Sequence, residues 1–239
     1  MLSFLITLAT LVSNTSTQEV RFKALCLNQP EVELAILDAK GQIETFKVYA
    51  HTLTTEKITS VREGKITLLG AEVNSDGKTI WVPRASANIP PTLNNVIIIL
   101  TGDPICPKVS IVADGPEKLQ GGSLRFFNTC PYAIGISLPG LKKILLSGSE
   151  VFFKSNLLSE GYGQGQFFTS NQNGGWRHAG GMRWLQLNDS RTLWFIAPDP
   201  NNFNLVTIHG IEEPLSEPIN TPVLKTNSKN TISRTHRQF

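Results

Sequence analysis

From Val20 to Val206 the chain is built of short apolar runs separated by turn residues, and no window of eleven or more residues holds a helical period. In the run Val20 to Leu27, VRFKALCL, the residues Val20, Phe22, Ala24 and Cys26 fall on one side under period-two alternation, which predicts a strand with one buried face. Val32 to Leu37 and Ile43 to Ala50 flank Asp38-Ala39-Lys40-Gly41, where the glycine suits the left-handed residue that closes a type I turn with a bulge. The same device recurs at Asn74 to Gly77, between Ile66 to Val73 and Thr79 to Val82. Asn95 to Thr101, NVIIILT, is uninterrupted and β-branched, as expected of a central strand buried on both faces. About seven strands are expected before Pro104.

The pattern restarts after Pro107. Val109 to Ala113, Ser123 to Phe127, Tyr132 to Leu138, Leu141 to Leu146, Glu150 to Lys154, Gln166 to Thr169, Met182 to Leu187, Thr192 to Ala197 and Phe203 to Ile208 are further candidate strands. Strands at this spacing with no helices between them predict an all-β fold, read as two antiparallel β-sandwich domains of immunoglobulin-like type. The joint is expected near Gly102 to Pro107, with a single larger intertwined sandwich as the alternative. The expected divisions are a signal peptide at 1–18, a first sandwich at 19–103, a second at 104–213 and a disordered basic tail at 214–239.

Charge refines this picture. The 239 residues carry 22 Lys and Arg against 19 Asp and Glu, and the excess is confined to the tail: Lys225, Lys229, Arg234 and Arg237 against Glu217. The body up to Glu213 is neutral and has no field with which to hold nucleic acid or an anionic membrane. Leu2 to Val12 is a mostly apolar run of eleven residues, too short for a spanning helix but suited to the central region of a signal peptide, so an exported protein, periplasmic or extracellular, with no membrane span is expected. The tail is too polar to offset the entropy of ordering.

Candidate chemistry is sparse. Cys26 reads as a buried thiol on the first strand. Cys106, in DPICP, and Cys130, in NTCP, both sit at turns, where either a disulfide between them or two free thiols fits the sequence. No two of His51, His178, His209 and His236 are spaced as metal ligands on one element, and no G-x-S-x-G elbow occurs. The glycines of Gly161 to Gly165 do not lead from a strand into a helix, the context a phosphate loop requires. No enzyme activity and no cofactor are expected.

The most unusual stretch is Gly161 to Trp194, which holds Tyr162, Phe167, Phe168, Trp176, Trp184 and Trp194 among Asn, Gln and Arg. Exposed aromatics beside such residues suit a sugar, whose apolar face stacks on a ring while polar neighbours take its hydroxyls. Trp184 and Trp194 lie in strand-like runs and are expected in the core. Trp176 lies in the turn-like NGGWRH, and with Tyr162 and Arg177 it is the candidate ligand-binding set.

The runs SLRFFNTCPYAIGISLPG, LLSGSEVFF, GGWRH with MRW, and SRTLWFIAPDP resemble the distal half of uncharacterised exported bacterial β-sandwich proteins. The resemblance spans Ser123 to Ile208 and rests on a strand ending in Asn, a Gly-Ser turn and two tryptophan strands. It implies an exported β-protein without catalysis. The expected function is a non-catalytic structural or interaction module whose partner is a protein or a polysaccharide; the alternative is a carbohydrate-binding module using aromatic residues of 161–194. Exposure of Trp176 and its neighbours separates the two.

Overall fold

A computed structural model describes residues 17–27, 31–115, 121–154, 161–170, 174–202 and 204–215. The expected signal segment through residue 16 and the expected tail from residue 216 lie outside these residues. Among the described residues there are sixteen strands and no helix, so the chain is all-β.

The first eight strands form one sheet. They are β1 (Thr17–Cys26), β2 (Glu31–Leu37), β3 (Ile43–Tyr49), β4 (Lys57–Arg62), β5 (Lys65–Val73), β6 (Thr79–Asn88), β7 (Asn95–Thr101) and β8 (Lys108–Ala113). The order is β3-β2-β5-β4-β1-β7-β8, with β6 on β5. Because β8 lies beside β6, the sheet curls on itself. Its concave face encloses Phe22, Cys26, Leu34, Val48, Ile66, Ile98 and Leu100. Each such burial contributes about 1.5–3 kcal/mol relative to exposure.

Both expected hairpin turns form. The Asp38 carboxylate accepts the backbone N–H groups of Lys40 and Gln42, each at 2.8 Å, and the Asn74 side-chain oxygen accepts those of Asp76 and Lys78. Gly41 and Gly77 take positive φ, at 79° and 74°. β6 runs past Val82 to Asn88, because a bulge opposite Leu68 and Leu69 absorbs Arg84 beside Pro83 on an exposed strand, one of the few places a sheet accepts proline.

The distal eight strands form two four-stranded sheets. β9 (Ser123–Asn128), β12 (Glu150–Lys154), β15 (Ser190–Pro198) and β16 (Val206–Pro214) make an inner sheet of order β12-β9-β15-β16. β10 (Ile134–Leu138), β11 (Leu141–Leu145), β13 (Gly161–Ser170) and β14 (Trp176–Gln186) make an outer sheet of order β11-β10-β13-β14. Phe126, Ile134, Ile136, Phe167, Trp184, Trp194 and Ile196 fill the space between them. Buried Asn128 ties the turns together: its side-chain NH₂ donates to the carbonyls of Tyr132, Leu145 and Leu146, and its oxygen accepts the N–H of Cys130.

The inner sheet is also covered on its other side. Leu25 of β1, Leu27 just past its end, and Ile97 and Ile99 of β7 pack on Phe127, Leu193, Phe195, Ala197 and Ile211. Phe127 and Phe195 stack at 5.0 Å. This explains why β7 is buried along both faces, as its sequence predicts.

Beside this apolar seam lies a buried ionic cluster. The Asp114 carboxylate, just after β8, is 2.8 Å from a guanidinium nitrogen of Arg191 and 3.6 Å from one of Arg125. Arg191 also donates to Glu213, Arg125 donates to Glu150 at 2.5 Å, and Lys23 donates to Glu213 at 2.6 Å. Three cations and three carboxylates balance. Burial lowers the Arg191 pKa, but Asp114 and Glu213 more than reverse this and leave it raised.

Three expectations are corrected by these contacts. β8 pairs with β7, so the chain passes the expected joint at Gly102 to Pro107 without leaving the first sheet. Strand pairing is not wholly antiparallel, since β1 runs parallel to β7 and β9 to β15. Pro214 closes β16 opposite Ser190 rather than opening the tail, next to Glu213, which Lys23 and Arg191 hold.

Candidate functional site

The outer sheet of the distal half turns one face away from the core, and a bulge decides which side chains that face carries. On β14 the inward residues Met182 and Trp184 would, under strict alternation, be joined on the core side by Gly180, His178 and Trp176. Instead the register slips: Phe167 pairs with Gly180 while Phe168 pairs with His178, which leaves Ala179 as the extra residue. A bulge of this kind reverses the alternation. Trp176 and His178 therefore emerge on the same side as Arg183, and Ala179 is buried.

The neighbouring strand β13 presents Tyr162, Gln164, Gln166 and Phe168 on that face at every second residue, a row of about 20 Å at some 3.3 Å per residue. Trp176 is 44% exposed and Tyr162 65%. The Trp176 indole lies over Gly135 of β10, where a Cβ added to the glycine would be 3.3 Å from two of the ring carbons. The Phe168 and His178 rings meet edge to face at 5.8 Å. The Arg183 guanidinium sits 4.6 Å above the Tyr162 ring centre.

Two adjoining depressions cross this face and meet at Ser137. One, of about 730 Å³, is lined by Trp176, Phe168, Ile144, Lys142 and Lys143 among others. The second, of about 650 Å³, is lined by Gln164, Gln166, His178, Arg183 and Pro139 among others. The arrangement offers ring faces to an apolar surface, with amide and hydroxyl groups between them to exchange hydrogen bonds.

Of the three residues expected here, Tyr162 and Trp176 share the face and Arg177 does not. Arg177 pairs with buried Thr169 on the opposite side of the sheet and donates to Asn204 at 2.6 Å in the turn before β16. Trp184 and Trp194 are 7% and 9% exposed, core residues as their runs predict. Trp184 lies against Gly163, so the glycines of Gly161 to Gly165 belong to β13 and make room for an indole rather than forming a loop. Trp176 to His178 likewise open β14 instead of forming a turn. Phe168, His178, Lys142, Arg183, Gln164 and Gln166 line the face although they lie outside the set expected from the sequence. The period-two row on β13 is legible only once those glycines are read as strand.

The three cysteines are free thiols, so of the two arrangements the sequence allows for Cys106 and Cys130 the structure holds the unbridged one. Cys106 is exposed in the β7–β8 loop, whereas Cys130 is buried in the distal core and its thiol donates toward the Ile196 carbonyl at 3.6 Å. Burial pushes the Cys130 pKa up to about 12, so it carries no thiolate at neutral pH. Among the described residues no group of three His, Cys, Asp or Glu side chains converges as a metal site. One pairing of histidines joins the two halves: His51, in the loop after β3, and His209 on β16 have their Nδ1 atoms 2.7 Å apart. No helix among the described residues is long and apolar enough to cross a membrane. The sequence matches no protein-family model and no curated protein.

Proposed function

We propose that the protein is a non-catalytic, exported interaction module whose partner is a polysaccharide, held on the outer face of the β11-β10-β13-β14 sheet. The observation that carries this reading is the exposure of Trp176 and Tyr162 on one sheet face with Gln164, Gln166 and Ser137 between them. A protein does not leave a tryptophan and a tyrosine open on the same sheet face without cost, and stacking on a pyranose is one use that rewards it. Buried Trp184 and Trp194 supply the core, so Trp176 is not needed there. Export rests on the apolar run Leu2 to Val12 and on the likeness of Ser123 to Ile208 to exported bacterial β-sandwich proteins. In the same reading the chain comprises two immunoglobulin-like units, the distal one being the sandwich that displays the face.

The test is retention of the full chain on insoluble polysaccharides with Trp176→Ala beside it. Retention of the wild type, lost in the variant with its melting temperature nearly unchanged, supports the reading. Trp194→Ala is the control and lowers the melting temperature, since truncating a buried aromatic costs about 3–5 kcal/mol. Absence of retention on every polymer, neutral and acidic, leaves a purely structural role and overturns the proposal.

A further inference from the structure

The charge of this face is one-sided. The four strands Ile134–Leu138, Leu141–Leu145, Gly161–Ser170 and Trp176–Gln186 contain not one Asp or Glu; of their cations Lys142 and Arg183 stand on this face, Lys143 lines the same depression from the edge strand, and Arg177 lies on the other side. This is a local property, because the body up to Glu213 is balanced and the other sheets hold carboxylates that pair with their cations, as Asp114, Glu150 and Glu213 do with Arg125 and Arg191. Lys142 and Lys143 line the depression that Trp176 walls, and neither has an ion-pair partner among the described residues. Arg183 lines the other depression with its guanidinium over Tyr162. A guanidinium held flat on a ring keeps its N–H edge available, and that fork matches a carboxylate in two parallel hydrogen bonds.

We infer that the ligand is an anionic polysaccharide of the uronic acid class, with the sugar rings stacked on Trp176 and Tyr162 and their carboxylates met by Lys142, Lys143 and Arg183. The inference rests on the polysaccharide reading and narrows it. A neutral glycan takes only ordinary hydrogen bonds from the three cations at the rim of the groove, whereas a carboxylate forms stronger charge-assisted ones and offsets their mutual repulsion. Single-stranded nucleic acid also combines rings with negative charge. It is disfavoured because the exposed amides Gln164 and Gln166 and Ser137 lie between the aromatic rings, where hydroxyl-rich rings match them, and because the cations are few and interrupted rather than a continuous track.

The experiment is affinity electrophoresis of the full chain through gels containing polygalacturonate, xylan, a sulfated galactan or no polymer, with a single-stranded oligonucleotide measured in solution. The expected result is retardation by polygalacturonate above all others, weakened at least tenfold in Lys142→Gln/Lys143→Gln and in Arg183→Gln, weakened by added salt, and lost in Trp176→Ala. Lys47→Gln/Lys78→Gln, which removes the same charge from exposed positions on β3 and in the turn before β6, leaves retardation unchanged. Retardation by xylan alone, insensitive to salt, overturns the anionic inference while the polysaccharide reading stands. Stronger binding of the sulfated galactan or the oligonucleotide overturns the uronate assignment, and full retention by Trp176→Ala reduces the effect to bulk charge and overturns it too. If no polymer binds, both readings fall together.

Discussion

The indole of Trp176 lies across Gly135, two strands away on the same sheet, close enough that a side chain at residue 135 meets the ring. Glycine there is what lets the ring settle on the sheet beside Phe168 instead of standing off into solvent. Gly135→Val therefore displaces the indole while leaving the core side of β10 untouched. The expected outcome is at least a tenfold loss of polysaccharide retention with a melting temperature within a few degrees of wild type, checked by affinity electrophoresis and thermal unfolding. Unchanged retention counts against the groove beside Trp176 as the binding site.

Trp194 and Gly210 face each other directly on β15 and β16, and a Cβ at Gly210 would fall 2.4 Å from the Trp194 ring. Gly210→Ala overpacks this contact and costs about 1–3 kcal/mol. Because Trp194→Ala removes the clashing partner, the double variant is less destabilised than the sum of the two single changes. Denaturant unfolding of the four proteins measures that coupling, and strict additivity would show that the ring does not rest on the glycine.

His209 is buried at the seam, and burial, then the nearby His51, holds its pKa below the ordinary 6.5. The unfolded chain consequently binds a proton that the folded chain refuses. Stability is complete above about pH 6.5 and falls as the pH drops below it, by at most about 1.4 kcal/mol per pH unit for one proton. His51 has φ of 62°, a conformation asparagine tolerates, so His51→Asn removes the imidazole without adding backbone strain. Its expected effect is a shallower loss of melting temperature between about pH 6.5 and 5. An identical slope in the variant excludes the histidine pair as the cause.

Asp114 is the carboxylate shared by two buried arginines. Asp114→Asn preserves shape but leaves an excess buried cation, at an expected cost of about 3–5 kcal/mol. The exposed pair Arg21 and Glu56, with side chains 52% and 48% accessible, provides the comparison. Glu56→Gln changes stability by less than about 1 kcal/mol. Chemical denaturation distinguishes the two, and equal small effects contradict the ionic cluster.

The local pattern was sufficient for the strands because alternation and turn chemistry act within a few residues. Val20, Phe22, Ala24 and Cys26 predict their common face, Asp38 to Gly41 and Asn74 to Gly77 predict their turns, and NVIIILT predicts a strand covered twice. The two core tryptophans were legible for the same reason. What lay beyond reach were pairings between distant segments. The place of β8 in the first sheet, the parallel partners of β1 and β9, and the six-residue ionic cluster depend on contacts across up to 190 residues, for which no local signal exists.

The candidate face divides in the same way. That aromatic, amide and cationic residues crowd into 161–194 is plain from local composition. Which of them stand together follows from the folded sheet. The bulge at Ala179 reverses the alternation of β14, brings Trp176 and His178 out beside Arg183 and leaves Arg177 behind. A single inserted residue is enough because side chains on a strand alternate with a period of two, so that every residue past the slip changes sides.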